Sequence, residues 1–162
     1  MSVVSNAGPL IALGTINQLH LLHVLYESVL IPPTVLIETT RRDNEIARQI
    51  KTSTWLQVRA PQDNAEVERL RFWLDAGESE ALVLARELGA TLLIDERRGR
   101  TIAETYNVPI TGTVGILIAA KQNGNLETIT PLLDEMMRTG VRLSQRLYNT
   151  ARKIVGESQE LG

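Results

Sequence analysis

DAGESEALVLARELGATLLIDERRGR, residues 75–100, is the stretch whose reading decides the fold. Gly77 precedes Glu78 and Glu80. Ala81, Leu82, Leu84, Ala85 and Leu88 then recur at helical spacing, and Gly89 supplies a C-terminal stop. Thr91 to Ile94 is a short, continuously apolar, partly β-branched run, the pattern of a strand buried on both faces. It ends abruptly in Asp95-Glu96. A helix followed by a buried parallel strand that ends in acid puts carboxylates where open α/β sheets bind ligands, outside the carboxyl ends of the strands.

The same alternation of short apolar runs with longer amphipathic ones continues in both directions, which argues for βαβ units and a parallel sheet. Strands are predicted at Ser2–Ser5, Val29–Ile31, Leu56–Arg59, Thr91–Ile94 and Val108–Thr111. The first leads into Asn6-Ala-Gly-Pro9, with Pro9 suited to the first turn of a helix through Leu13. Helices are expected over Gln18–Tyr26 with Leu19, Leu22 and Leu25 inward, from Pro32-Pro33 through Glu38, and over Asn44–Lys51. Asp63 is an N-cap for a helix towards Trp73, with Val67, Leu70 and Leu74 inward. After Asp95 come a basic helix near Arg97–Tyr106, a helix opening at TGTVG (111–115), and helices over Pro131–Arg138 and Ser144–Val155. The last shows a stripe of Leu147, Ala151, Ile154 and Val155 behind the Ser144 cap. The organisation expected is one domain over residues 1–143, with 144–162 a C-terminal helix and polar tail packed on or extending it.

At 162 residues the chain can build a sizeable core. Seventeen Lys and Arg against nineteen Asp and Glu give a formal charge of −2, so a nucleic-acid partner must be held by a local basic patch or through metal. The lack of Cys excludes a disulfide framework, zinc-thiolate sites and thiol catalysis, and fits a reducing cytoplasm. The start, MSVVSNAGPLIALG, has no basic n-region and is too broken by Gly and Pro for a signal or a membrane span.

Metal-assisted phosphodiester hydrolysis uses hard cations, about 4 Å apart in two-metal sites, held by oxygen ligands from separate elements. The parts stand at four element ends: Asn6 after the first strand, Glu38 after Pro32-Pro33, Glu80 with Glu78 on the helix, and Asp95 with Glu96 after the fourth strand. Glu80 shares a helical row with Leu84 and Leu88, at the margin of the buried face, where an unpaired carboxylate is costly. Each residue also has a plainer reading. Glu78 and Glu80 can complement a helix dipole, Asp95 can cap the helix beginning near Arg97, Glu38 can be a solvated helix residue, and Asn6 can cap the Pro9 helix.

The order of VVSNAGPLIALG, VLIPPTVLIE, GESEALVLARELGATLLIDERRGR and VPITGTVGILIAAKQNG resembles the PIN-domain superfamily, over roughly residues 2–145. Within it the chain is similar to a prokaryotic branch related to the VapC-type toxins. The resemblance implies an α/β/α sandwich with a five-stranded parallel sheet in order 3-2-1-4-5. It implies Mg²⁺- or Mn²⁺-dependent endoribonuclease chemistry, as the toxin of a toxin–antitoxin module, with an antitoxin partner and a homodimer. By position its acidic quartet falls on Asn6, Glu38, Glu80 and Asp95, with Glu78, Glu96 and Thr113 accessory. One departure matters. The first quartet position is normally Asp and here is Asn6, whose amide oxygen can ligate a cation but brings no charge.

Arg97, Arg98 and Arg100 follow the acidic edge, and Arg41 with Arg42 follow Glu38; beside a metal site they could hold RNA phosphates, or simply form a solvated face. TGTVG lacks the Lys of a P-loop, though its N–H groups and Thr113 could meet a phosphate at a helix start. His20 and His23 have no partner at metal spacing, and with one Phe a base-stacking sheet is not expected. Two other readings stand beside the nuclease. One is a PIN scaffold, weakened at Asn6, that binds nucleic acid or protein without cleaving. The other is a small phosphate-binding or receiver-like α/β domain, disfavoured because no Lys follows the fifth strand.

Overall fold

Five short apolar runs pair into one parallel sheet: β1 (Ser2–Ser5), β2 (Ser28–Ile31), β3 (Leu56–Val58), β4 (Thr91–Leu93) and β5 (Ile110–Thr111), in the order β3-β2-β1-β4-β5. The computed structural model describes residues 2–158; the remaining tail of the expected C-terminal segment, 159–162, lies outside them. Three predicted strands are shorter than expected, β3 ending at Val58 rather than Arg59. Pro109 has no N–H to give a ladder, so β5 begins at Ile110, although the Pro109 carbonyl still accepts from Leu92. Ile94 still donates to Thr111 O at 3.0 Å, but the ladder stops at Leu93 and the chain turns outward at Asp95.

The period-two alternation of the strands divides the core between the two faces of the sheet. Val3, Val29, Ile31 and Leu93 face one apolar cluster with α1 (Ala7–Thr15), α2 (Leu21–Leu25) and α8 (Thr113–Gln122), and with α9 (Thr130–Arg138). Val4, Leu30, Leu92 and Ile94 face the other, with α5 (Asn64–Leu70), α6 (Ala76–Leu88) and α7 (Arg97–Thr105). The result is a three-layer α/β/α sandwich. α3 (Pro33–Thr40) and α4 (Glu45–Thr52) complete the first face through Val35 and Ile50. Leu82, Leu84, Leu92 and Ile94 are almost wholly buried, and truncating any one to Ala should cost about 2–5 kcal/mol.

α6 is the element that positions the site. Asp75 accepts from the Glu78 amide to cap its start, and Gly89 at φ 60° closes its end in the left-handed conformation. Between the caps Ala81 to Ala85 are all buried, which leaves Glu78 and Glu80 half-buried on the first turn.

The C-terminal helix α10 (Gln145–Ile154) is tied to the first face. Ala151 is fully buried in that cluster, and Tyr148 and Val155 pack against it. Just beyond, Glu157 accepts from Lys121 Nζ at 2.8 Å, from the Thr130 hydroxyl, and from the amides of Ile129 and Thr130 at the start of α9. The expected apolar stripe of α10 divides: Ala151 turns in, while Leu147 and Ile154 are 43% and 53% exposed. Only one edge of this helix meets the body of the fold among the described residues, so Leu147 and Ile154 stay partly in solvent. Among the described residues no helix is long and apolar enough to cross a membrane.

Candidate functional site

In the order β3-β2-β1-β4-β5 the chain winds away from β1 in two directions, so the crevice between the ends of β1 and β4 is the topological switch point. Asn6 follows β1 and Asp95 follows β4, on the two sides of that crevice. The Asn6 amide donates to Leu93 O at 2.9 Å, which fixes the backbone at its mouth. Asn6 is buried, and its Oδ1 has no hydrogen-bond partner among the described residues. A buried carbonyl oxygen left without a donor costs about 1–3 kcal/mol, and an absent ion or water is one of the few explanations for keeping it. The expected helix-capping role of Asn6 is not made by its side chain, although its extended backbone begins α1.

Asp95 does not cap the helix that follows it. Glu96 does, accepting from the amides of Arg98 and Gly99 at 3.1 and 2.7 Å. That frees Asp95 to reach across to α8, where Oδ1 accepts from the Thr113 amide at 2.7 Å and Oδ2 from the Thr113 hydroxyl at 2.6 Å. The helix start expected to meet a phosphate is thus occupied by the protein's own carboxylate. Asp95 is exposed at the floor of a depression of about 320 Å³ that Arg100, Thr111, Gly112 and Leu147 also line. Gly112 makes this approach possible, because a methyl there would stand 2.7 Å from Asp95 Oδ1 and 2.9 Å from an Arg100 guanidinium nitrogen.

Glu38 meets α6 at Gly77, where a methyl would come within 2.7 Å of Glu38 Oε1. It lines a second depression, of about 340 Å³, with Arg41 and Arg42. Burial raises the proton affinity of Glu38, Asp75 and Glu80 add repulsion, and Arg41 partly offsets them. Glu78 is perturbed further. Burial, the Asp75 charge, a hydrogen bond to Asp75, and the charges of Glu96 and Glu38 push its carboxyl up to about 8. Asp75, Glu78, Glu80, Glu38 and Glu96 therefore form one electrostatically connected acidic rim, which a cation would relieve.

Asp75 carries no role in the reading of the sequence, although an Asp three residues before a Glu at a helix start is a capping signal that could have found it. Of the basic residues, Arg41 stands by Glu38 and Arg100 by Asp95. Arg98 donates to Trp73 O at 3.4 Å, and Arg97 is exposed at the first position of α7. His23 stacks on Trp55 with centroids 5.5 Å apart, an ordinary packing role.

The donors are hard oxygens of the type Mg²⁺ and Mn²⁺ take, and their crowding together with the unpartnered Asn6 Oδ1 fits such a cation. Among the described residues, however, no three Asp, Glu or His side chains already converge as a closed ligand set. That suits an ion which keeps several waters and takes one or two carboxylates, rather than a protein cage. A family model described as PIN domain matches residues 2–157. No curated protein matches the chain.

Proposed function

Since the chain belongs to the PIN-domain family, whose members are generally nucleases, we propose that it is a Mg²⁺- or Mn²⁺-dependent endoribonuclease. The observation that carries the reading is the buried, unpartnered Oδ1 of Asn6 at the switch point, on a sheet edge whose Glu38 and Glu78 carboxyls hold protons more tightly than usual. Asp95, Glu80, Glu38 and Asn6 would hold the cation, one or two of the carboxylates directly and the rest through its waters, with Glu78 and Glu96 accessory. When bound, the cation supplies a water of lowered pKa and charge on the scissile phosphate oxygens. Thr113 orients Asp95 and leaves lone pairs on both of its oxygens for other partners. Arg41, Arg97, Arg98 and Arg100 hold flanking phosphates, which fits single-stranded RNA better than a small anion.

We further assign the chain to the VapC-like toxins of two-component modules, with an antitoxin that covers the acidic cleft. Residues 1–143 carry the chemistry and 144–162 support it. A homodimer would use the exposed Leu147 and Ile154 of α10, because Leu19 and Leu22 of the other candidate stripe are committed to the core. The neutral charge of Asn6 and the open carboxylate arrangement favour one second reading, a weakened scaffold that binds RNA or protein without cleaving.

The test is cleavage of single-stranded RNA in Mn²⁺, in Mg²⁺ and in chelator, by wild type and Asp95→Asn. Metal-dependent cleavage lost in Asp95→Asn supports the enzyme. Equal background cleavage in all conditions sinks it and leaves the scaffold.

A further inference from the structure

Beside the acidic rim, two large aromatic side chains are left in solvent. Phe72 is 84% and Trp73 53% exposed, in the turn joining α5 to α6. The chain has only two Trp and one Phe, so two of these three side chains stand together on one surface turn. Single exposed apolar residues need no explanation, but a pair of adjacent rings does. Their centroids are 6.1 Å apart and the planes are inclined by 59°, so the rings are not stacked on one another. The other tryptophan, Trp55, is covered by His23 at an inclination of only 14°.

The turn is held in place. Trp73 N donates to Leu70 O at 2.9 Å, Leu74 is buried beneath it, and Arg98 donates to Trp73 O from the start of α7. Asp75, which caps α6 and charges the Glu38–Glu78 rim, follows two residues later. Two residues span at most about 7 Å of chain, so the turn that carries the rings adjoins the acidic rim.

We propose that Phe72 and Trp73 are a stacking platform for bases of single-stranded RNA lying across the acidic cleft. The idea rests on the ribonuclease reading and adds the residues that would grip the strand. The surroundings favour RNA over a protein segment. Phe72 lines a shallow groove of about 540 Å³ whose other walls are Ala65, Glu68, Arg69 and Arg71, with no aliphatic neighbour larger than alanine to extend an apolar face for a partner helix. A base needs only an open ring face and a nearby cation, and stacking of this kind tolerates any base. A cation is at hand: Arg98 reaches the Trp73 carbonyl and, among the described residues, takes part in none of the ion pairs.

The test measures binding of a labelled single-stranded RNA of mixed sequence to the full chain in chelator, alongside the same strand carrying abasic sites. Phe72→Ala and Trp73→Ala should each weaken binding by roughly tenfold, and Trp73→Phe should recover most of the loss. Wild type should hold the abasic strand no better than the double alanine variant holds the intact one. Unchanged Kd in the alanine variants, or equal affinity for the two strands, overturns the platform. So does a fall in oligomeric mass on alanine substitution, which would make the rings a contact between copies. The cleavage assay separates the two ideas. Stacking-dependent binding without any metal-dependent cleavage leaves the platform and removes the nuclease. Cleavage with KM and Kd unaltered in the alanine variants does the reverse.

Discussion

Asp95 and Thr113 are joined twice, amide to Oδ1 at 2.7 Å and hydroxyl to Oδ2 at 2.6 Å, across the gap between the end of β4 and the start of α8. The second bond belongs to the side chain alone, so Thr113→Val removes it while keeping the shape of a residue that is 1% exposed. The expected stability loss is about 1 kcal/mol. The carboxylate would then rotate more freely, and kcat should fall by about tenfold with little change in KM. An unchanged kcat in steady-state assays would reduce Thr113 to a structural residue.

Asn6→Asp puts a charge where the structure provides no donor. In chelator the variant should melt below wild type, because a buried carboxylate without a partner is destabilising. In Mn²⁺ the order should reverse, and calorimetric affinity should tighten by about 1–3 kcal/mol, at least several-fold. A lower melting temperature with unaltered Mn²⁺ affinity would mean that position 6 does not face the cation.

Glu157 gives a stability prediction independent of function. Burial alone would raise its pKa, but Lys121, the Thr130 hydroxyl and the amides of Ile129 and Thr130 outweigh it and lower the carboxyl from 4.5 to about 2. A group with a depressed folded pKa stabilises above its unfolded value and loses that contribution as pH falls through the folded one. Glu157→Gln should therefore cost about 2 kcal/mol at pH 7, and the gap between variant and wild type should close between pH 4.5 and about 2. Urea midpoints measured across that window check it; a gap independent of pH would mean the loss is one of shape.

The arginines of α7 predict a salt effect. Each phosphate contact to a single strand contributes about −0.7 to the slope of log K against log salt. Arg97→Ala should flatten the RNA-binding slope by about that amount, and weaken all sequences alike. An unchanged slope would return Arg97 to the solvated face.

Strand order and layering were legible because period-two and helical patterns in this chain rarely conflict; GESEALVLAREL could hardly be read otherwise. The ends of elements were less legible. Glu96 rather than Asp95 caps α7, and nothing local in DERRGR distinguishes the two, since Asp95 is drawn away by Thr113, 18 residues on. The α10 stripe misled for a related reason: helical spacing shows which residues share a face, not whether another element covers that face. The bare rings of Phe72 and Trp73 depend on the path of one turn, which composition does not encode, whereas the Asp75 cap was written in its spacing to Glu78.

Gly77 and Gly112 allow an experiment that no carboxylate substitution can provide. Neither has a left-handed backbone, so alanine is conformationally permitted at both, and on α6 it is even favoured. The obstacle to a methyl at Gly77 is the carboxylate end of Glu38; at Gly112 it is the carboxylate of Asp95 and the tip of Arg100. Gly77→Ala and Gly112→Ala would thus shift one acidic group each without altering the ionic inventory of the protein. Replacing an acid by its amide always mixes two effects, lost charge and altered position. These two alanines separate them, and a Gly112→Ala protein that folds with every charge in place would isolate what the position of Asp95 alone contributes.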